Sequence, residues 1–340
     1  MKILFLARLY RPHIGGVEQH LFEVCQFLKK NHRVTIVTEQ YDASLAEYET
    51  VDGIEIWRIP LPKQHTSKFA IWHWWMKHLG LLFSADVIHI HDVFFWFLPF
   101  RWPFFWKRVF MTFHGYEPPG PPTFTQVFWH QLAALMTDGN ICVGAFHEKW
   151  YGVVPTIVTY GGISEGTPPK VKKKQSKDSE IFFASRLAED TGIMEYLHAA
   201  WVLHQKDFAF HLDVYGDGPL REECESFAWN HQLPIHFHGF VENAAQYISS
   251  HTIVFASQYL SILHALAEGK AVISFAHFEM KKDYLLMTPF ANWITITYQP
   301  EQIAEAVIKH LPLVTAGTEW AQQQTWQKLE EQYQTLWQKK

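Results

Sequence analysis

The chain has 340 residues, 48% of them hydrophobic, and a formal net charge of −5. This length exceeds what one hydrophobic core usually supports, so two domains are expected, and the acidic balance predicts no nucleic-acid partner. Cys25, Cys142 and Cys224 lie far apart in the sequence, which predicts buried, reduced thiols and a cytoplasmic protein.

The first half of the chain begins as a strand, a glycine loop, a helix and a second strand. "KILFLA" precedes Gly15 and Gly16, a helical pattern starts at Val17, and "RVTIVTE" is β-branched. This order predicts a βαβ unit and a parallel sheet. A helix is predicted at about 124–137, and further strands at "GIEIWRIP", "DVIHIHD", "RVFMTFHG", "GNICVG" and "PTIVTYGG".

A second αβ block follows a polar segment. Residues 164–179 combine Pro, Gly, Ser and a lysine run, which is typical of an interdomain linker. Strands are predicted at "EIFFASRL", "FHLDVYGDG", "IHFHGF", "TIVFAS" and "AVI", with helices between them. A polar helix is predicted over 319–340. We therefore predict an α/β protein with two doubly wound, Rossmann-like domains that face a central cleft.

Seven motifs occur in a characteristic order: "GGVE", "HGYE", "SRLAEDTGI", "VYGDGPL", "HGFV", "EGKAVI" and a terminal "TW" helix. With them the chain resembles the GT-B glycosyltransferases, specifically the retaining, nucleotide-sugar-dependent glycosyltransferase family 4, over nearly its whole length. The resemblance implies an acceptor-side domain at 1–163, joined by the returning helix 319–340, and a nucleotide-sugar-binding domain at 180–318. It also implies no metal and no cofactor, so protein groups must stabilise the leaving diphosphate.

The resemblance assigns the diphosphate and sugar of the donor to several positions. Arg186 stands in the place of a diphosphate-binding arginine, a task that suits its forked guanidinium; the alternative is a surface ion pair with Glu189 or Asp190. Thr191 stands where the family usually has a lysine, although its hydroxyl can still donate a hydrogen bond. Ahead of a helix, the glycine pair at 15 and 16 would let the backbone approach the donor; the alternative is a plain turn.

Further positions follow from the same motifs. His114 in "TFHGYE" matches a position that faces the donor sugar, so His114 and Arg186 are the predicted catalytic residues. Four residues are assigned to the nucleoside by "VYGDGPL" and "HGFV": Gly216, Gly218, Phe240 and Val241. The histidines of "HIHD", His89 and His91, would share one strand face. The sequence offers no third metal ligand at a telling spacing, and a role in lining the cleft is the alternative.

The segment 257–273, "SQYLSILHALAEGKAVI", departs from the family pattern. Family members carry two glutamates spaced as E-x7-E, with a glycine-rich loop between them. Here the place of the second, ribose-binding glutamate falls on His264, and about four residues are missing, including the first glutamate. The shortened segment leaves the backbone of Ser261, Ile262 and Leu263 to face the donor sugar and diphosphate. A histidine in this place accepts fewer hydrogen bonds than a carboxylate.

The aromatic stretch 94–106 has two interpretations. Its two prolines argue against a buried helix, and Arg101, Lys107 and Arg108 lie in or beside it. It is either a core-packing or acceptor-pocket loop, or a peripheral contact with a membrane interface. No uninterrupted apolar run reaches about 18 residues, so no membrane-spanning helix is predicted.

We therefore expect a retaining glycosyltransferase of the hexosyltransferase class. It would move a sugar from a nucleotide-diphosphate sugar to a cell-envelope, polysaccharide or lipid-linked glycan acceptor, in the cytoplasm or peripherally at the inner membrane face. The altered segment leaves one alternative, a catalytically weakened or inactive GT-B-like pseudoenzyme or regulatory subunit. A sugar-nucleotide epimerase is a third possibility, but the sequence shows no added acid–base constellation for it.

Overall fold

The computed structural model describes residues 1–60, 68–116, 120–164, 179–309 and 315–338. The chain forms two compact units. The first comprises Met1–Tyr116, Pro122–Thr159 and Trp326–Lys340, and the second comprises Glu117–Pro121 and Tyr160–Thr325. Residues 165–178, most of the predicted linker, lie outside the described residues. The prediction of two α/β blocks, each with its own sheet, is confirmed.

An eight-stranded sheet forms the first unit. Its strands are β1 (Lys2–Ala7), β2 (Arg33–Glu39), β3 (Tyr48–Val51), β4 (Ile54–Ile59), β5 (Val87–His91), β6 (Arg108–Phe113), β7 (Asn140–Val143) and β8 (Ile157–Thr159). They lie in the order β3-β4-β2-β1-β5-β6-β7-β8, and only the β3–β4 pair is antiparallel. Sequence patterns miss β3, because none of its residues is buried and it lacks apolar alternation.

Helices flank this sheet. They are α1 (Gly16–Leu28), α2 (Lys68–Lys77), α3 (Leu79–Ser84), α4 (Phe94–Phe97), α5 (Phe124–Leu135) and α6 (Phe146–Tyr151). The apolar face of α1 is buried through Leu21, Val24, Cys25 and Leu28, which accords with the helical pattern predicted from Val17. Helix α5 begins with a capping box, in which Thr123 and Gln126 satisfy each other's backbone N–H groups. The shortest helices escape prediction because one or two turns carry little periodicity.

A six-stranded, fully parallel sheet forms the second unit. Its strands are β9 (Ser179–Ala184), β10 (Phe210–Tyr215), β11 (Ile235–Gly239), β12 (Ile253–Phe255), β13 (Ala271–Phe275) and β14 (Thr295–Thr297), in the order β11-β10-β9-β12-β13-β14. Its helices are α7 (Ile193–Gln205), α8 (Arg221–Asn230), α9 (Tyr259–Ala267), α10 (Glu279–Leu286), α11 (Pro300–Ile308) and α12 (Thr315–Gln322). All five residues of β13 are buried, as expected of a parallel strand covered on both faces.

The predicted single helix over 319–340 is wrong. The chain leaves α12 at Gln322 and starts a second helix, α13 (Trp326–Gln338). Between them the backbone pairs with another segment: the Ile163 N–H donates to the Gln324 carbonyl at 2.8 Å, and Ile163 forms a β-bridge with Thr325. Helix α13 belongs to the first unit and packs against α1.

In each sheet the order in which strands are added reverses at the first strand: later strands are placed on the opposite side of it. It runs from β1 to β2, and later places β5 on the other side of β1. It likewise runs from β9 to β10 and β11, and then places β12 on the other side of β9. Ligands of open α/β sheets bind at the carboxyl ends of strands at such switch points. The loops after β1, β5, β9 and β12 are therefore the first places to look for a site.

Two other predictions concern the whole chain. The three cysteines are free and buried, as predicted. In the part of the chain that the structure describes, no helix combines the length and the apolar character needed to span a bilayer.

Candidate functional site

Hydrogen bonds between loops bring the predicted donor-side residues to one edge of the second sheet. The Ser185 N–H donates to the Tyr215 carbonyl at 3.2 Å, and the Leu187 N–H donates to the Asp217 carbonyl at 3.0 Å. The Gly216 N–H donates to the Gly239 carbonyl at 2.8 Å. Neighbouring loops at the carboxyl ends of β9, β10 and β11 therefore hold five predicted residues: Arg186, Gly216, Gly218, Phe240 and Val241.

The two glycines after β10 are required by the packing of the chain against itself. A Cβ at Gly216 would lie 1.9 Å from the Ser185 carbonyl oxygen, and one at Gly218 would lie 2.4 Å from the Leu187 carbonyl oxygen. Gly216 also has φ +150°, which disfavours a side chain. These glycines hold the loop after β10 against the loop that carries Arg186.

Arg186 follows β9 at the switch point of the second sheet. Its Nη2 donates to both carboxylate oxygens of Asp190, at 2.9 and 3.1 Å, which is the ion pair considered from the sequence. The Arg186 side chain nevertheless remains 65% exposed. A diphosphate at this edge would compete with Asp190 for one nitrogen and meet the rest of the guanidinium in solvent.

Thr191, the position predicted to donate to the diphosphate, is engaged within the fold. Its side chain is buried, and its hydroxyl donates to the Ala188 carbonyl at 2.7 Å. The residue closes the short 3₁₀ helix Glu189–Thr191, so a diphosphate contact would require the hydroxyl to leave the Ala188 carbonyl, and the role of Thr191 stays a prediction.

A lysine that sequence reasoning missed lies beside this edge. Lys281, in the first turn of α10, is fully buried, and its Nζ donates to the Ser257 carbonyl. Burial lowers the pKa of Lys281 to about 7, and the Asp190 carboxylate acts in the opposite direction. Nothing in "EMKKD" separates Lys281 from its partly exposed neighbour Lys282.

The shortened segment after β12 forms a helix almost at once. Ser257 is held through its hydroxyl, 2.7 Å from the Tyr196 hydroxyl, and α9 begins at Tyr259. Ile262 and Leu263 are fully buried, and the Ile262 N–H donates to the Gln258 carbonyl at 3.0 Å. The side chains of Ile262 and Leu263 thus belong to the core and their backbone to the helix, and their contacts with the sugar and diphosphate stay predictions.

Two other residues of α9 remain near the edge. The Ser261 hydroxyl donates to the Ala184 carbonyl at 3.1 Å, next to the loop of Arg186. His264 is half-buried, and burial lowers its pKa to about 4. At neutral pH His264 is therefore uncharged and offers one acceptor nitrogen where the family has a carboxylate.

The glycine pair lies at the carboxyl end of β1, where α1 starts. A Cβ at Gly15 would lie 2.4 Å from Oε2 of Glu18, whereas one at Gly16 would meet nothing within 4 Å. The buried Glu18 carboxylate also bonds His13 Nδ1 at 3.0 Å. Because a carboxylate repels a diphosphate but accepts from hydroxyls, this loop suits a sugar better than a phosphate.

His114 follows β6 and is 8% exposed. Its Nε2 lies 2.7 Å from Nδ1 of His91, the last residue of β5, and its N–H donates to Oδ1 of Asp92 at 3.1 Å. Burial holds the pKa of His91 and of His114 well below the usual range, and neighbouring histidines lower both further. An imidazolium at His114 that partners a phosphate is therefore disfavoured at neutral pH.

The histidines of "HIHD" lie side by side, as predicted. The ring centroids of His89 and His91 are 5.3 Å apart, and both rings lie against Tyr333 of α13. Across the described ranges, no group of three His, Cys, Asp or Glu side chains is arranged to hold a metal ion.

The aromatic stretch 94–106 divides into a buried and an exposed part. Five of its rings pack inside: Phe94, Trp96, Phe97, Phe100 and Phe104. Residues 102–106, here the aromatic turn, expose Trp102 by 77%, Phe105 by 71% and Trp106 by 55%. The turn is braced by Arg101, which donates to the Met136 carbonyl at 2.7 Å, and by Lys107, which donates to the Ala85 carbonyl at 2.6 Å.

Sequence families cover both units. Residues 14–155 match Glycosyltransferase Family 4, and residues 178–312 match Glycosyl transferases group 1. A GDP-mannose:cellobiosyl-diphosphopolyprenol alpha-mannosyltransferase of Xanthomonas campestris is 30% identical over 124 residues, which cover 34% of the chain and 31% of that protein. The enzyme of the same name from Komagataeibacter xylinus is 26% identical over 123 residues, which cover 34% of the chain and 30% of that protein. The matches thus span about a third of these two relatives.

Solved structures show the same fold. Sucrose-phosphate synthase from Thermosynechococcus elongatus matches with a TM-score of 0.74 and 14% identity, over 99% of the chain and 98% of that structure. A glycosyltransferase from Rickettsia africae matches with a TM-score of 0.70 and 15% identity, over 99% of the chain and 97% of that structure. The predicted fold is confirmed, and the chain belongs to the GT-B glycosyltransferases, with a family 4 domain in its first half and a group 1 domain in its second.

Proposed function

We propose that the protein transfers a sugar from a nucleotide-diphosphate sugar to a lipid-linked glycan acceptor, with retention of the anomeric configuration and without a metal. The observation that carries this proposal is the match of both units to glycosyltransferase families. GDP-mannose is the first donor to test, and a saccharide on a diphosphopolyprenol is the first acceptor, because the two curated relatives are named for those substrates.

The charges at the second sheet edge support the donor side of the proposal. Arg186 places an exposed guanidinium at a switch point, and the glycine loop after β10 lies beside it. A leaving diphosphate needs fixed positive charge where negative charge develops, and such charge is among the strongest contributions to catalysis. Retention would follow if the acceptor hydroxyl attacks on the face that the diphosphate leaves. Its oxygen would bond to the anomeric carbon as the carbon–oxygen bond to phosphate breaks, and its proton would pass to the leaving phosphate.

A donor panel tests this proposal. Purified protein would be incubated with GDP-mannose and with UDP-linked sugars, together with a short-chain diphosphoprenyl disaccharide. We expect a glycosylated product with one donor, equal rates with and without EDTA, and an α-anomeric linkage by proton NMR from an α-linked donor. A β-linked product would contradict retention, and loss of activity in EDTA would contradict metal independence.

The same panel decides between transfer and the pseudoenzyme alternative. That alternative gains no support from the named relatives, both of which are transferases. Absence of transfer and of donor binding by calorimetry, across all donors, would overturn the proposed function in favour of it.

We further propose that the enzyme lies in the cytoplasm and contacts the membrane peripherally through the aromatic turn. Exposed tryptophan and phenylalanine rings beside cationic side chains favour the headgroup region of a bilayer. Replacing Trp102, Phe105 and Trp106 together with serine should abolish co-sedimentation with vesicles that contain anionic lipid. Trp229→Ser is the matched control, because that tryptophan is 84% exposed on α8 of the other unit. Equal sedimentation of the triple variant and the wild type would overturn this contact.

A further inference from the structure

A chain of buried hydrogen bonds runs behind His114 in the first unit. The indole nitrogen of Trp337 lies 3.0 Å from Nδ1 of His89, whose Nε2 lies 2.8 Å from the Thr112 hydroxyl. That hydroxyl lies 2.9 Å from the Tyr333 hydroxyl, which lies 2.9 Å from Nε2 of His20. All five residues are buried, so solvent does not compete for these bonds.

These hydrogen bonds all run in one direction, from Trp337 to His20. An indole only donates, so Nδ1 of His89 accepts and its Nε2–H donates to Thr112. Because the Thr112 hydroxyl accepts from His89, it donates its own hydrogen bond to the Tyr333 hydroxyl. The Tyr333 hydroxyl in turn donates to Nε2 of His20. Burial lowers the pKa of His20 to about 3 and holds that of His89 well below its usual range. Every ring in the chain is therefore uncharged and fixed in one tautomer at neutral pH.

His114 is held against this array by His91, the last residue of β5, and by Asp92, which follows it. His91 bonds its ring, and the Asp92 carboxylate accepts from its backbone N–H. Asp92 adopts φ 58°, in the left-handed region that few non-glycine residues occupy, and such outliers cluster at functional sites. The ring of His20 stands edge-to-face with that of His114, with centroids 4.8 Å apart. His114 is therefore constrained on three sides.

In the hydrogen bond between His91 and His114, either ring could be the donor, and the burial of His91 decides between the two possibilities. Among the described residues, Nε2 of His91 has no hydrogen-bond partner and is out of contact with solvent. In proteins, a buried N–H without a partner is rarer than a buried acceptor without one. The proton of His91 is therefore placed on Nδ1, from which it is donated to Nε2 of His114. The remaining ring nitrogen of His114, Nδ1, then carries the proton.

We propose that His91 is a positioning residue that keeps the proton of His114 on Nδ1, so that His114 offers an N–H donor to an oxygen of the donor sugar or the acceptor. This inference rests on the proposed function. It also excludes His114 as the base that takes the proton of the acceptor hydroxyl, because the free nitrogen is already protonated. The acceptor proton then goes to the leaving phosphate, in accordance with the proposed route.

The tautomer is measured directly by NMR of protein labelled with ¹⁵N at the histidine rings. Signals of His91 and His114 would be assigned by their loss in His91→Asn and His114→Gln. We expect both rings to carry the proton on Nδ1, with Nε2 unprotonated. A proton on Nε2 of His114 would overturn the inference, whether or not the enzyme proves active.

Kinetics test whether the tautomer matters. His91→Asn keeps an N–H donor near the place of Nδ1, whereas His91→Leu removes it. We expect His91→Leu to lower kcat by about 100-fold with the donor KM changed less than about 3-fold, and His91→Asn to recover about 10-fold of the loss. His204→Asn, on the exposed side of α7, should leave the rate unchanged.

Two outcomes separate this inference from the proposed function. If the variants fold, as judged by unchanged melting temperatures, and His91→Asn is as slow as His91→Leu, the positioning role is contradicted while the transferase assignment stands. If the wild-type protein transfers no sugar, the proposed function fails, and a positioning role in that transfer fails with it.

Discussion

The carboxyl edges of the two sheets differ in chemistry. At the edge of the first sheet, buried and uncharged rings bond to one another and to His114. At the edge of the second, exposed arginines pair with acidic side chains: Arg186, after β9, pairs with Asp190, and Arg221, the first residue of α8, pairs with Asp217 and Glu225. One edge is preorganised, and the other carries cations that can exchange one anionic partner for another.

Under the proposed function, the two edges would have different tasks. A diphosphate must be drawn from water by positive charge, and exposed arginines do this without prior desolvation. Orienting a sugar hydroxyl needs a fixed donor in a dry place instead, because a hydrogen bond there is not weakened by water. The Glu18 carboxylate beside the glycine pair fits the same division, since it favours hydroxyl groups at the first edge.

The largest effect is expected at the charged edge. Arg186→Ala should lower kcat/KM by about 1000-fold, because one charge-stabilising group of the transition state is lost. Steady-state kinetics with saturating acceptor would measure it. Arg221→Ala is the matched control, since that arginine is bound on both sides by carboxylates. Equal losses of kcat/KM in the two variants would show that Arg186 acts no differently from another surface arginine.

The next largest effect is expected at the ring array. His114→Ala should lower kcat by about 100-fold through loss of one fixed donor. Because the N–H of His114 would act on the reacting sugar or on the acceptor, the KM for the nucleotide sugar should stay within about 3-fold. A change confined to the KM for the nucleotide sugar would mean that His114 only binds this substrate. The proposed difference in task between the two edges would then be wrong.

Lys281 allows buried and exposed basic groups of the second edge to be compared through stability, because its side chain is fully buried. Its folded-state pKa of about 7 lies below its ordinary value of 10.5, so between these values the unfolded chain binds a proton that the folded chain does not. The free energy of unfolding therefore rises with pH in this window, by about 2 kcal/mol from pH 7 to pH 9.

Urea unfolding at pH 7 and pH 9 measures that rise. Lys281→Met should remove it, whereas Lys282→Met should keep it, because Lys282 is 39% exposed in its side chain. Identical pH dependence in the wild type and Lys281→Met would show that the amine of Lys281 stays charged in the folded protein.

The smallest effect is expected at His264. A glutamate there restores a carboxylate acceptor, whose gain of roughly 1.5–3 kcal/mol is offset in part by burial. We expect His264→Glu to tighten donor binding by about 10-fold in calorimetry, and His264→Gln, which adds no charge, to change it little. Weaker binding in His264→Glu would mean that the ribose does not lie at this position.

The sequence predicts the parallel strands well because they are short, mainly apolar runs followed by polar residues, as β1, β5 and β9 are. It fails at 319–340, because the break depends on pairing of Gln324 with Ile163, a contact distant along the chain. It also fails to find β3, whose exposed residues carry no pattern.

The site was less predictable than the fold. Motif order predicts roles for Arg186 and His114, but it does not reveal that Thr191 turns inward or that the helix after Ser257 buries Ile262 and Leu263. Lys281, Tyr333 and the bond between His91 and His114 escape notice for a common reason. Their importance comes from burial and from partners that only the folded chain brings together.

Calorimetric titration with GDP tests the division between the two edges most directly. A nucleoside diphosphate carries the charge of the donor without its sugar. The account predicts that Arg186→Ala binds GDP at least about 100-fold more weakly than the wild type and that His114→Ala binds it within about 2-fold. Equal affinity of Arg186→Ala and the wild type, or an equal loss in both variants, would contradict it.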